Sequence, residues 1–157
     1  MAGNILSKEA ASLQTVGTTG GTVTTGSAVS LGTVDARSGG NVADLFSALF
    51  SLTVQWATVT GIAAGTTIAD LYLLPAIDGT NYPDIDTTAG ASYIPYTSRV
   101  GSFVAAKAPT ANTNAMFSST PVDLFPTLYT AYIINRSGQT MSTGAVLKAM
   151  GAAAQYT

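Results

Sequence analysis

The sequence contains no cysteine and no histidine. The absence of cysteine excludes a disulfide scaffold. The absence of histidine removes the commonest general base, the commonest neutral metal ligand and every Ser–His or Cys–His nucleophile pair. Chemistry based on lysine, tyrosine or carboxylate groups remains open, but we predict a protein that is not an enzyme and that carries no cofactor and no metal.

Charge is also scarce, since charged residues make up 9% of the chain against about 25% in ordinary soluble proteins. The basic residues are scattered along the sequence, whereas a nucleic-acid partner requires clustered cations. We therefore expect no nucleic-acid binding. A surface this poor in charge is unfavourable for a free monomer. It favours a subunit covered by neighbouring molecules over a small free-standing domain that is merely rich in threonine.

Neither a secretion signal nor a membrane span is expected. The opening "MAGNILSKEAASLQ" has no basic region and no apolar run, so it does not fit a signal peptide. Residues 45–69 carry no charge and are long enough to cross a bilayer as a helix. Within them, however, Leu52–Trp56 alternates apolar and polar side chains, which is the period of a β-strand. We predict no membrane partner.

Short strand patterns separated by turn residues recur along the chain and predict an all-β fold, an antiparallel β-sandwich of jelly-roll type. Trp56 lies within an alternating strand and is expected in the core. The segment "TLYTAYIIN" is apolar on both faces and predicts a central strand. The predicted strands are Thr22–Ser30, Leu31–Asp35, Leu49–Val59, Thr66–Leu74, Arg99–Lys107, Pro121–Phe125, Thr127–Asn135, Thr140–Thr143 and Ala145–Gly151.

The chain is predicted to divide into an N-terminal arm, residues 1–20, and a β-sandwich domain, residues 21–157. The arm is expected to be extended or partly helical, because "SKEAASLQ" offers a short helix with Ser7 as its N-cap. An isolated helix of this length is marginal, so an arm that becomes ordered only against a partner is an equal alternative. We expect removal of residues 1–14 to leave the domain folded and to weaken its attachment to a partner.

The stretch "LYLLPAIDGTNYPDID" ends an apolar run at Pro75 and brings three acids close together, Asp78, Asp84 and Asp86. A calcium loop is one interpretation, although the alternating ligand spacing of an EF-hand is absent. A pair of glycosidase carboxylates is a second. The preferred interpretation is a turn, since Asp78-Gly79 suits a tight turn and prolines and asparagines favour turns. The candidate interface or loop contacts are Asp78, Gly79, Thr80, Asn81, Tyr82 and Asp84.

Asn135-Arg136-Ser137 matches the acceptor pattern for N-glycosylation. Without a secretion signal, the pattern is better interpreted as a turn, in which Gly138 supplies a positive φ.

Two segments resemble structural proteins of tailed-bacteriophage virions. The first is "VADLFSALFSLTVQWATVTGIAAGTTIADLYLLPAIDGTNYPDID" and the second is "YTAYIINRSGQTMSTGAVLKAM", and together they span about residues 42–155. The resemblance implies a small β-sandwich on the capsid exterior that decorates and cements the shell. It also implies binding to the major capsid protein and to copies of the same chain, for example as a trimer.

Two other functions compete with this one. A receptor- or glycan-binding module of a phage tail or fibre would use the loop Asp78–Asp86 together with Tyr72, Tyr82, Tyr93 and Tyr96. An enzyme would need a nucleophile and a base in reach of each other, and the sequence offers no such pair.

Overall fold

The computed structural model describes residues 5–9, 13–37, 47–85, 98–142 and 144–156. Within these residues the regular secondary structure is almost entirely β-strand, and none of them forms a helix long and apolar enough to cross a membrane. The strands are β1 Ile5–Glu9, β2 Gln14–Thr18, β3 Ala28–Asp35, β4 Ser47–Val54, β5 Thr67–Pro75, β6 Arg99–Val104, β7 Ala115–Ser118, β8 Val122–Asp123, β9 Leu128–Asn135 and β10 Val146–Tyr156.

These strands form two antiparallel sheets. The first has the order β1-β10-β4-β7, with β2 also paired to β10 and β8 also paired to β4. The second has the order β3-β9-β5-β6. One apolar core draws side chains from both sheets, so the sheets pack face to face as in a β-sandwich. The predicted all-β, antiparallel sandwich class is therefore confirmed.

The core follows the period-two pattern of the strands. On β5, Leu71 and Leu73 face the core, while Asp70 and Tyr72 lie on the opposite face of the sheet, as predicted. Trp56 is fully buried and its ring meets the ring of Phe117 edge to face, with centroids 6.0 Å apart. The segment predicted as a central strand is β9, which lies between β3 and β5.

The outer face of the second sheet carries a smaller apolar cluster. Tyr72 and Leu74 of β5 pack there with Ala28 and Ile134, which face each other across β3 and β9. Ile85, from the segment that follows β5, is partly buried against this cluster. Part of the outer face of the second sheet is therefore apolar as well, which explains the near-continuous apolar run of β5.

Several strand predictions were wrong in their bounds. Leu49–Val59 runs five residues past the end of β4, and Arg99–Lys107 runs three past β6. Pro121–Phe125 holds only the two residues of β8, and Ala145–Gly151 ends five residues before β10 does.

Three further predictions were wrong in kind as well. Thr22–Ser30 is not a strand, because Gly26 adopts a left-handed turn with φ +78° and β3 begins only at Ala28. Leu31–Asp35 is the second half of β3 rather than a strand of its own. In Thr140–Thr143, Met141 makes isolated bridges to Val23 and Trp56, and residue 143 lies outside the described residues.

The helix predicted from Ser7 is also wrong over the described residues. Ile5–Glu9 is strand β1 and pairs with residues 152–156 of β10. Gln14–Thr18 is strand β2 and pairs with the beginning of β10. The long strand β10 offers backbone partners that a short isolated helix lacks, and this pairing outweighs a weak helix preference.

Candidate functional site

The predicted contact loop lies at one end of the sandwich. We call residues 76–85 the rim loop, and the end where it lies, where β5 finishes and β9 starts, the Pro75 end. Pro75 is the last residue of β5, and the Ala76 N–H donates to the carbonyl of Leu128 over 2.8 Å. The rim loop therefore starts from a backbone position that the sheet fixes.

Asp78 organises the first half of the rim loop. Its Oδ1 accepts hydrogen bonds from the N–H groups of Thr80, at 3.0 Å, and Asn81, at 2.7 Å. Its Oδ2 accepts one from Nδ2 of Asn81 at 2.6 Å. The Ile77 N–H donates to the Asn81 carbonyl at 2.7 Å, and Gly79 between them has φ +81°. This is the turn predicted from the sequence.

The same hydrogen bonds bear on the calcium alternative. The backbone N–H of Asn81, its side-chain amide and the N–H of Thr80 together hold the pKa of Asp78 below its usual value. Both carboxylate oxygens thus already have partners within the loop. The described part of the chain contains no group of three Asp, Glu, His or Cys side chains that could hold a metal ion. Asp86 lies outside that part. The geometry makes Asp78 the cap of a turn.

The second half of the rim loop is partly buried. Tyr82 and Pro83 are half-buried, and Asp84 is exposed. The Arg37 guanidinium, just after β3, has a pKa that is raised mainly by its hydrogen bond to Asp35. Of the other predicted contacts, Thr80 and Asn81 are exposed and Gly79 is half-exposed.

The tyrosines proposed as a receptor-binding surface do not form one patch in the described residues. Tyr72 is only 4% exposed and belongs to the outer-face cluster. Tyr93 and Tyr96 lie outside the described residues.

A second polar feature is an ion-pair network around Asp70, which is 7% exposed. Arg99 donates to Asp70 Oδ1 through Nη2 at 2.8 Å and Nε at 3.0 Å, and Arg136 Nε donates to Oδ2 at 2.9 Å. Ser102 Oγ donates to Oδ1 at 2.6 Å and also accepts from Arg99. Burial alone would raise the pKa of Asp70, but the bonds from Ser102, Arg99 and Arg136 outweigh it and lower the pKa. The network joins β5, β6 and the end of β9.

The candidate glycosylation site is a buried structural corner. Asn135 is 0% exposed, and its Nδ2 donates to the carbonyls of Val23 and Gln139, each at 2.8 Å. Its Oδ1 accepts from the N–H and the hydroxyl of Ser137. Trp56 Nε1 in turn donates to Ser137 Oγ at 3.2 Å. This confirms the interpretation as a turn and shows why the motif needs asparagine and serine.

Exposed apolar side chains mark the surfaces that sequence patterns missed. Ile77 and Phe125 are 76% and 78% exposed at the Pro75 end. Met116 and Val104, at 71% and 47%, lie toward the opposite end. One sequence signal was available for Phe125. Leu124 and Phe125 are adjacent, and in an extended chain two neighbouring side chains point to opposite sides.

Comparison with known proteins adds no relative. No family model, no curated protein and no solved structure matches this sequence. The functional interpretation therefore depends on the fold and on the surfaces described above.

Proposed function

We propose that the two sheets form a jelly roll. Apart from β1 and β8, the strands pair in nested order from the ends of the chain toward its middle. The pairs are β2 with β10, β3 with β9, β4 with β7 and β5 with β6. A chain folded as one long antiparallel hairpin and then wrapped around itself produces this nesting and divides eight strands between two sheets. The sheet orders β10-β4-β7, with β2 on β10, and β3-β9-β5-β6 support the proposal.

On this basis the protein is a non-enzymatic structural subunit of a tailed-phage virion. It lies on the capsid exterior, where it cements the shell by binding the major capsid protein and copies of itself. The nested strand order carries the proposal, because the jelly roll is an architecture of viral capsid proteins as well as of lectins and cupins. The absence of histidine weighs against a metal enzyme of the same architecture.

The distribution of charge supports a covered surface. Each arginine among the described residues pairs with an aspartate, Arg37 with Asp35 and both Arg99 and Arg136 with Asp70. Little free charge remains to keep a lone molecule apart from its neighbours. Large exposed side chains such as Ile77 and Phe125 are instead suited to burial against another protein.

The chemistry of cementing requires only many weak contacts. A single contact can bury well under the roughly 800 Å² per partner of a standard interface. Once one site on a shell is engaged, the other contacts become intramolecular, which raises avidity by about 10²–10⁴. The rim loop fits such a role, because the Asp78 turn fixes its backbone before binding and so reduces the entropy lost on contact.

Quantitative mass spectrometry of purified virions tests the proposal. We expect peptides of this chain at a copy number of the same order as the major capsid protein. We also expect the purified chain to rebind capsids that lack it and to raise their melting temperature, with Tyr82→Ala and Asn81→Ala weakening that binding. A handful of copies per particle, together with retention of cells or glycans that Tyr82→Ala abolishes, would instead identify a tail receptor-binding module. Absence from the particle would contradict both.

A further inference from the structure

Two grooves open on one side of the sandwich, where β6 and β7 are the last strands of their sheets. The first, which we call the Lys107 groove, has a volume of ≈ 540 Å³, and its lining includes Val104, Lys107 and Met116. The second, the Phe125 groove, has a volume of ≈ 390 Å³, and its lining includes Asp123 and Phe125.

The two grooves lie at opposite ends of that side. Val100, near the start of β6, lines the Phe125 groove, and Val104, the last residue of β6, lines the Lys107 groove. At the Pro75 end, Asp123 pairs with Ser47 at the start of β4, whereas Ala115 pairs with Val54 at the end of β4. The six residues of β6 span about 20 Å, given a rise of about 3.3 Å per residue.

The two grooves are complementary in charge, and each presents exposed apolar side chains. Phe125 lines the groove named after it and is 78% exposed, and the exposed Asp123 lines the same groove. The other groove presents Met116 and Val104, 71% and 47% exposed, with the exposed ammonium of Lys107. Neither Asp123 nor Lys107 belongs to an ion pair with another described residue. An exposed aromatic side chain with a negative charge thus lies at one end, and exposed aliphatic side chains with a positive charge lie at the other.

We propose that this side is an interface between two copies of the chain, related by a two-fold axis with their β6 strands antiparallel. In that arrangement Phe125 of each copy enters the Lys107 groove of the other, and Asp123 meets Lys107. A parallel arrangement would place Lys107 against Lys107 and Asp123 against Asp123, which like-charge repulsion opposes. The two-fold arrangement is isologous, so it closes after two copies and buries both grooves at once. It differs from the trimer that the phage resemblance implies.

The inference extends the proposed function by naming a self-contact, but its test needs no virion. Sedimentation velocity of the purified full chain over a range of concentrations should reveal a dimer that weakens as salt rises. Asp123→Lys and Lys107→Asp should each raise the dimer dissociation constant by at least about tenfold, and the double variant should restore it. Phe125→Ser should raise it by at least about thirtyfold, since central aromatic residues dominate interfaces.

A matched control separates this interface from a general change in surface charge. Lys148→Asp reverses a charge on β10, and Lys148 lines neither groove. This variant should leave the dimer unchanged, and thermal unfolding should show every variant folded. A chain that is monomeric at all concentrations, a trimer, or single charge reversals that the double variant fails to rescue would overturn the proposal. Binding to shells could still succeed in that case, so the two proposals fail independently.

Discussion

At the scale of single residues, Gly17 carries the tightest steric constraint in the described chain. It lies in β2 of the first sheet, against Leu31 of β3 in the second, and an added Cβ would stand 1.7 Å from the Leu31 carbonyl oxygen. That oxygen belongs to the backbone and cannot rotate away. We expect Gly17→Ala to reduce the free energy of unfolding by about 1–3 kcal/mol or more, as overpacking does, in a urea titration.

Gly21→Ala is the control, because a Cβ there meets nothing within 4 Å and surface changes of this kind usually stay within about 0.5 kcal/mol. Equal stability of the two variants would mean that β2 and β3 do not approach each other at Gly17.

The local chemistry of the rim loop was predictable from the sequence, whereas the exposure of Phe125 was predictable only in part. The Asp78 carboxylate accepts hydrogen bonds from residues two and three positions further along the chain, and such turns depend on few distant contacts. Phe125 follows a strand of only two residues, so the side to which it points depends on how β8 registers against β4. The glycine contact at Gly17 likewise joins two sheets, and local sequence contains no sign of it.

At the scale of elements, the strands that the sequence predicted best are those whose side chains pack within the sandwich. β5 and β9 match their predicted bounds to within one residue, because period-two alternation or a continuous apolar run follows directly from burial. β1, β2 and β7 were missed, and each lies at a sheet edge. An edge strand has one partner and little burial, so its identity depends on the neighbour that it pairs with rather than on its own residues.

Truncation separates the contributions of β1 and β2. β1 pairs with residues 152–156 of β10. The pairing of β10 with β4 covers residues 146–152, so β1 and β4 flank the same residue of β10 only at Ala152. Deleting residues 1–12 should therefore change the free energy of unfolding by no more than about 1 kcal/mol. Deleting residues 1–18 also removes Val16, which packs on the core, and should cost at least about 1.5–3 kcal/mol. It should also promote aggregation, because β10 becomes an open edge.

Urea unfolding measures the stability of the two truncated chains, and light scattering measures their aggregation. The shorter deletion stops before β2, whereas the expected removal of residues 1–14 would cut into it. A large loss of stability on deleting residues 1–12 alone would show that β1 is an integral part of the sandwich.

At the scale of the whole molecule, one core joins both sheets. We therefore expect the two sheets to unfold together when the pH changes. The chain has no histidine, so no side chain of ordinary pKa titrates between pH 5 and 8, and stability should be nearly flat there. Asp35, Asp70 and Asp78 all have pKa values lowered in the fold from 3.8. A lowered carboxyl pKa stabilises the fold above pH 3.8, and this stabilisation is lost as pH falls through the folded value.

Asp70 should account for a measurable share of that acid sensitivity, since its carboxylate pairs with both Arg99 and Arg136 and its side chain is largely buried. Asp70→Asn keeps the shape but removes the charge. At pH 6 we expect it to lower the free energy of unfolding by about 1.5–3 kcal/mol, the range for hydrogen bonds to charged groups. The difference from the native chain should shrink steadily below pH 3.8, because the native carboxyl then becomes neutral as well. Urea titrations at several pH values measure this difference in the free energy of unfolding, and Asp84→Asn, at an exposed position, is the control. A difference that persists unchanged at pH 2 would show that Asp70 acts through packing rather than through charge.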